Sequence, residues 1–117
     1  MEPSLLPPPD PTLPRWDCQN RQLWLGDRLL KTYRPRSGHG QIAILAAFEA
    51  AGWHVRRIDC PRPFFTAGGR EAVRRRIYDI VRNLNHSLPP DTLRFSDDGP
   101  ALGVWWERMP SKVVDSH

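Results

Sequence analysis

The sequence predicts a small α+β domain: two helices framed by a β-hairpin at each end. Three observations predict it. Residues 69 to 86 place Val73, Ile77, Ile80 and Leu84 at i, i+4, i+7 and i+11, the stripe of one helix face, and Val81 widens it. Residues 41 to 51 are apolar on most sides of a second helix, which marks that helix as buried. Two pairs of short apolar-rich runs, one around Gly26-Asp27 and one around Asp97-Asp98-Gly99-Pro100, carry the punctuation of hairpins. The chain has 117 residues, enough for one domain with a modest core and not for two.

Residues 1 to 14, MEPSLLPPPDPTLP, contain six prolines. Proline fixes φ and removes a backbone donor, so the stretch reads as a disordered or polyproline-II tail. Pro8 and Pro11 have PxxP spacing, which any proline-rich tail produces by chance. Order is expected from Trp16, in a domain spanning residues 15 to 109. Gln22 to Leu25 and Arg28 to Tyr33 form the first hairpin. Gly26 supplies the positive φ of a two-residue type II′ turn, and Leu23, Leu25, Leu29 and Leu30 supply the apolar surface.

Pro35 to Gly40 is a loop, with Ser37 as an early cap for a helix from His39 or Gln41 to Ala51. Gly52 ends that helix, and Trp53 follows as a core anchor. His54 to Asp59 reads as a short strand with Val55 and Ile58 as its apolar members. PRPFFTAGG is a loop, because prolines oppose a helix at its start and glycines at its end. Phe64 and Phe65 are expected to cover part of the core.

The long helix then runs from Gly69 to His86, and Pro89-Pro90 enforces its end. At about 100° per residue, Glu71, Arg75, Asp79, Arg82 and His86 lie opposite the apolar stripe, with Arg74 and Tyr78 on one flank. Glu71–Arg75 and Arg75–Asp79 have the i, i+4 spacing of ion pairs that would tie this face to itself. In the last hairpin Leu93 and Phe95 alternate with Arg94 and Ser96. Val104 and Trp106 face one way, Trp105 and Glu107 the other. Residues 110 to 117 read as a frayed tail.

The formal net charge is +4, but residues 15 to 109 hold 16 Lys+Arg against 10 Asp+Glu, a balance of +6. Residues 54 to 76 hold seven arginines against Asp59 and Glu71. Such a field attracts phosphates or acidic partners. No apolar run approaches the roughly 18 residues of a membrane span, and no signal peptide is apparent, so the expected place is the cytoplasm. Cys18 and Cys60 are expected as free thiols. Enzyme chemistry ranks last. The chain has no glycine-rich phosphate loop or nucleophile elbow, and Cys18, His39, His54, Cys60 and His86 lack zinc-ligand spacing. Asp97 and Asp98, beside Gly99-Pro100, read as turn residues. No cofactor or metal is expected.

Element order carries a resemblance. RQLWLGDRLLKTYR, QIAILAAFEAAGW, REAVRRRIYDIVRNLN and LRFSDDGPALGVWWE together resemble a winged-helix DNA-binding domain, most closely the effector domain of OmpR/PhoB-type response regulators. Those domains also open with short strands before the first helix and end with a recognition helix running into a β-hairpin wing. The likeness covers about residues 21 to 108 and includes no diagnostic motif. One element departs from it: PRPFFTAGG stands where the family has a second helix. The last stretches also resemble segments of short bacterial proteins, a likeness that carries no function.

The resemblance implies duplex DNA as the partner, with the exposed face of the long helix in the major groove. Arg75 and Arg82 would then read guanine edges or hold phosphates, and Arg74 and Tyr78 would contact backbone. Arg70, near the helix start, would hold phosphate, and Arg94 or Arg108 would add contacts from the wing. The other expected partner is an acidic protein docked on the same basic face or on Trp105, with no nucleic acid involved. Glu71 and Asp79 on that face favour this alternative.

Overall fold

The first hairpin forms where Gly26-Asp27 predicts it. Strand β2, Gln22–Leu25, pairs antiparallel with β3, Arg28–Thr32, and Leu25 lies opposite Arg28. Gly26 sits at φ 62° while Asp27 does not enter the left-handed region, as a type II′ turn requires. The computed structural model describes residues 13–61 and 69–109. The proline-rich residues 1–12, the 62–68 stretch with Phe64 and Phe65, and the 110–117 tail lie outside the described residues.

A strand that the sequence hides precedes this hairpin. Strand β1, Pro14–Asp17, pairs antiparallel with β2 to give a three-stranded sheet of order β1-β2-β3. Pro14, read as the end of the tail, is therefore the first residue of an edge strand, where a missing N–H is tolerated. Leu23, Leu25 and Leu30 are buried, but Leu29 is 42% exposed. The register shifts between Leu23 and Trp24, and neighbouring residues of a strand cannot both face the core.

Helix α1 spans His39–Ala51. Its N-cap is Gly38 at φ 69°, not Ser37, whose hydroxyl donates to the Arg34 carbonyl at 2.8 Å. Gly38 packs so tightly on Tyr33 that a Cβ would stand 2.5 Å from the ring. Only Ile44, Leu45 and Phe48 are buried on α1, while Ala46, Ala50 and Ala51 face solvent. Apolar composition overstated its burial, because alanine is small and stabilises a helix wherever it lies. Gly52 ends the helix as expected, its N–H donating to the Glu49 carbonyl. Glu49 Oε1 then accepts both the Trp53 indole N–H at 2.7 Å and the Trp16 N–H at 2.8 Å, fastening α1 to β1.

Strand β4 is only Arg57–Asp59, shorter than expected at its start, and Val55 is exposed. Helix α2 spans Gly69–His86 as predicted. Val73, Ile77, Val81 and Leu84 are its buried residues, and the half-buried Ile80 meets α1 at Gly40, where a Cβ would lie 2.5 Å from Cδ1. Strand β5, Leu93–Asp97, a 3₁₀ turn, Gly99–Ala101, and strand β6, Gly103–Arg108, form the last hairpin. Strand β6 is central in the second sheet, order β4-β6-β5. Leu93, Phe95, Val104 and Trp106 are buried, while Trp105 is 45% exposed, as alternation predicts.

One hydrophobic cluster joins these layers. Phe48 of α1 stacks on Trp53 at 5.2 Å and meets Phe95 of β5 at 6.0 Å, and Trp53 meets Trp106 of β6 edge-on at 5.7 Å. Such ring pairs add to the burial of apolar area. Among the described residues no helix is long and apolar enough to cross a membrane.

Candidate nucleic-acid interface

Helix α2 lies along the outer edge of β5, and the space between them is a shallow groove. Asn85 fixes its geometry. The Asn85 amide donates to the Phe95 carbonyl at 2.8 Å, and its oxygen accepts the Phe95 N–H at 2.8 Å. The side chain thus pairs with the edge of β5 as another strand would, which blunts that edge.

Among the described residues the groove widens in three hollows along α2. The first, of about 490 Å³, is lined by Glu71, Arg74, Arg75, Tyr78, Asp79 and Asp97. The second, of about 280 Å³, shares Tyr78 and Asp97 and adds Arg82, Arg94 and Ser96. The third, of about 370 Å³, shares Asn85 and Arg94 and ends at Pro89-Pro90 and Met109. Of the predicted binding residues, Arg74, Arg75, Tyr78, Arg82 and Arg94 therefore line one continuous run.

Arg70 stands apart. Its guanidinium donates to the Pro100 carbonyl, so it tethers the start of α2 to the turn of the last hairpin. Arg108 is exposed at the end of β6, opposite Leu93.

The expected ion pairs along the helix do not form. Among the described residues, ion pairs involve Arg28 with Asp91 and Arg57 with Asp59 and Asp98, and none joins Arg75 to Glu71 or Asp79. Glu71, Arg75 and Asp79 are exposed, and no ion pair ties them to one another.

Sequence reasoning missed the latch that shapes the hairpin turn. Arg57 on β4 donates through Nε to Asp98 at 2.5 Å, through Nη1 to Asp59 at 2.8 Å and through Nη2 to the Ala101 carbonyl at 3.5 Å. These bonds hold its pKa above the ordinary value, that to Asp98 first and that to Asp59 second. The guanidinium lies over Gly103, where a Cβ would meet Nη2 at 2.3 Å. A glycine opening a strand was the available signal. Asp97 and Asp98 are turn residues as expected: Asp97 accepts the Gly99 N–H at 3.1 Å, and Asp98 serves the latch. Among the described residues no cluster of His, Cys, Asp and Glu is arranged to hold a metal ion.

In comparisons with known proteins, no family model matches the chain, and no curated protein or solved structure matches it.

Proposed function

We propose that the protein binds duplex DNA through α2 and the last hairpin, as a winged-helix domain of the regulatory kind would. One observation carries the reading: Arg74, Arg75, Tyr78, Arg82 and Arg94 line a single open groove between an exposed helix face and a hairpin. Guanidiniums spaced along a groove suit phosphate oxygens and guanine edges, and Tyr78, 52% exposed, offers a ring and a hydroxyl to the backbone. The order of strands, core helix, strand, long helix and hairpin supports the same reading. The place of the family's second helix is PRPFFTAGG, residues 61–69, of which 62–68 lie outside the described residues. The Arg57 latch would hold the hairpin turn at a fixed height above the groove.

Affinity for a random-sequence duplex, measured for the native protein and for Arg75→Ala/Arg82→Ala, tests the site. The double variant is expected to bind about tenfold or more weakly, since losing even one charge-assisted bond costs about 1.5–3 kcal/mol. Equal affinity would remove both arginines from the interface.

A second reading, docking of an acidic protein without nucleic acid, draws on the carboxylates of the same groove. Glu71, Asp79 and Asp97 would repel phosphate. Absence of DNA binding at low salt would favour it.

A further inference from the structure

The acidic residues on α2 have a consistent placement that DNA binding does not use. We propose that the exposed face of α2 pairs antiparallel with the same face of a second copy of this chain, and that this pairing covers the DNA groove.

Glu71, Arg75, Asp79 and Arg82 alternate in sign and are all exposed. At about 100° per residue they fall within one arc of roughly 80° on the side away from the core. A closed dimer puts the same patch on both partners, so that patch must complement itself. Place a twofold axis at the level of Ile77, perpendicular to the helix. Arg75 stands two residues before that level and Asp79 two after, so each faces its counterpart across the axis. Glu71 stands six before and Arg82 five after, and at about 1.5 Å per residue their heights differ by only about 1.5 Å. A two-fold pair therefore sets Glu71 against Arg82 and Arg75 against Asp79, twice over.

Tyr78 lies one residue from the axis on the flank of this arc and is 52% exposed. Two copies of its ring would supply the apolar centre. A parallel pair would instead set like charges against each other, so the pattern also selects the orientation. None of these four charged groups is engaged in an ion pair among the described residues, so pairing breaks no existing bridge. Exposed ion pairs are individually weak, and one helix face is small for an interface. The dimer is accordingly reversible and weakens with salt.

Self-association stands independently of the DNA reading; its regulatory consequence rests on it. Arg75, Tyr78 and Arg82 would serve both surfaces, so DNA and the second copy compete.

Sedimentation velocity over a concentration series reads the pairing. The native chain is expected to shift from monomer to dimer as concentration rises. Glu71→Arg and Arg82→Glu, each alone, are expected to weaken dimerisation about tenfold or more. Glu71→Arg/Arg82→Glu, which exchanges the two charges, is expected to restore it. Arg75→Asp, Asp79→Arg and their double variant give an independent second cycle, and circular dichroism verifies that each variant is folded. A native chain that stays monomeric at about 1 mM overturns the proposal, as do double variants no more dimeric than the singles. A monomer that binds DNA overturns only the pairing. A dimer without DNA affinity overturns only the DNA reading.

Discussion

The side chain of Asn85 forms a two-point hydrogen bond with the backbone of Phe95, 2.8 Å in each direction, across the seam between α2 and β5. It couples the last turn of the basic helix to the hairpin that flanks it. Asn85→Ala leaves both Phe95 groups unpaired in a partly buried setting. The expected cost is about 1–3 kcal/mol, read as a lower urea midpoint with little change in slope. Asn85→Asp keeps the acceptor but sets a carboxylate against the Phe95 carbonyl, so it is not expected to restore the native midpoint.

The Arg57 latch gives a second expectation. Gly103→Ala places a methyl group 2.3 Å from Nη2 and forces the guanidinium off Asp98, Asp59 and the Ala101 carbonyl. The expected destabilisation is about 1–3 kcal/mol, the range of overpacking. Amide exchange at Gly99, Ala101 and Leu102 is expected to speed up more than exchange at Val73 to Leu84. Equal changes in both segments would show that the latch does not act locally.

The two cysteines are expected to differ sharply towards thiol reagents. Cys18 is exposed, whereas Cys60 is buried and burial pushes its pKa up to about 11. Cys18 is expected to react under native conditions near neutral pH, and Cys60 only at high pH or on unfolding. The same shift makes stability depend on pH. The folded state favours the neutral thiol, so the contribution of Cys60 is full below the ordinary value of 9.0 and is lost as pH rises towards about 11. A Cys60→Ala chain is expected to lose less stability over that window than the native chain.

How much of this was legible in the sequence depended on how local the signal was. Helix α2 was readable to both ends, because its apolar period, the glycine before it and the prolines after it all act within the segment. The hairpin turns at Gly26-Asp27 and around Gly99 were readable for the same reason. Strand β1 was not: PRWD has no alternation long enough to register, and it becomes a strand only because β2 offers its edge. The burial of α1 was overread, since alanines on its open side carry no sign of their direction. In the groove, the helix period grouped Arg74, Arg75, Tyr78 and Arg82. The Asn85 clamp and the Arg57 latch join residues 10 and 41 positions apart, and no spacing rule reaches across such gaps.

Arg94 separates the two surfaces of the groove. It lines the hollows on the β5 side, off the arc proposed to pair with a second copy. Arg94→Ala is expected to weaken DNA binding several-fold and to leave self-association unchanged, measured by anisotropy and sedimentation on the same samples. A loss of dimer in this variant would contradict the placement of the pairing face.

The proposed role of α2 and the last hairpin is to neutralise DNA phosphates. Fluorescence anisotropy of a labelled random-sequence duplex, titrated at several salt concentrations, is the test. Three or four phosphate contacts predict micromolar or tighter binding at low salt and a slope of log affinity on log salt of about −3 to −4. No binding at low salt, or binding that salt does not weaken, would contradict the account.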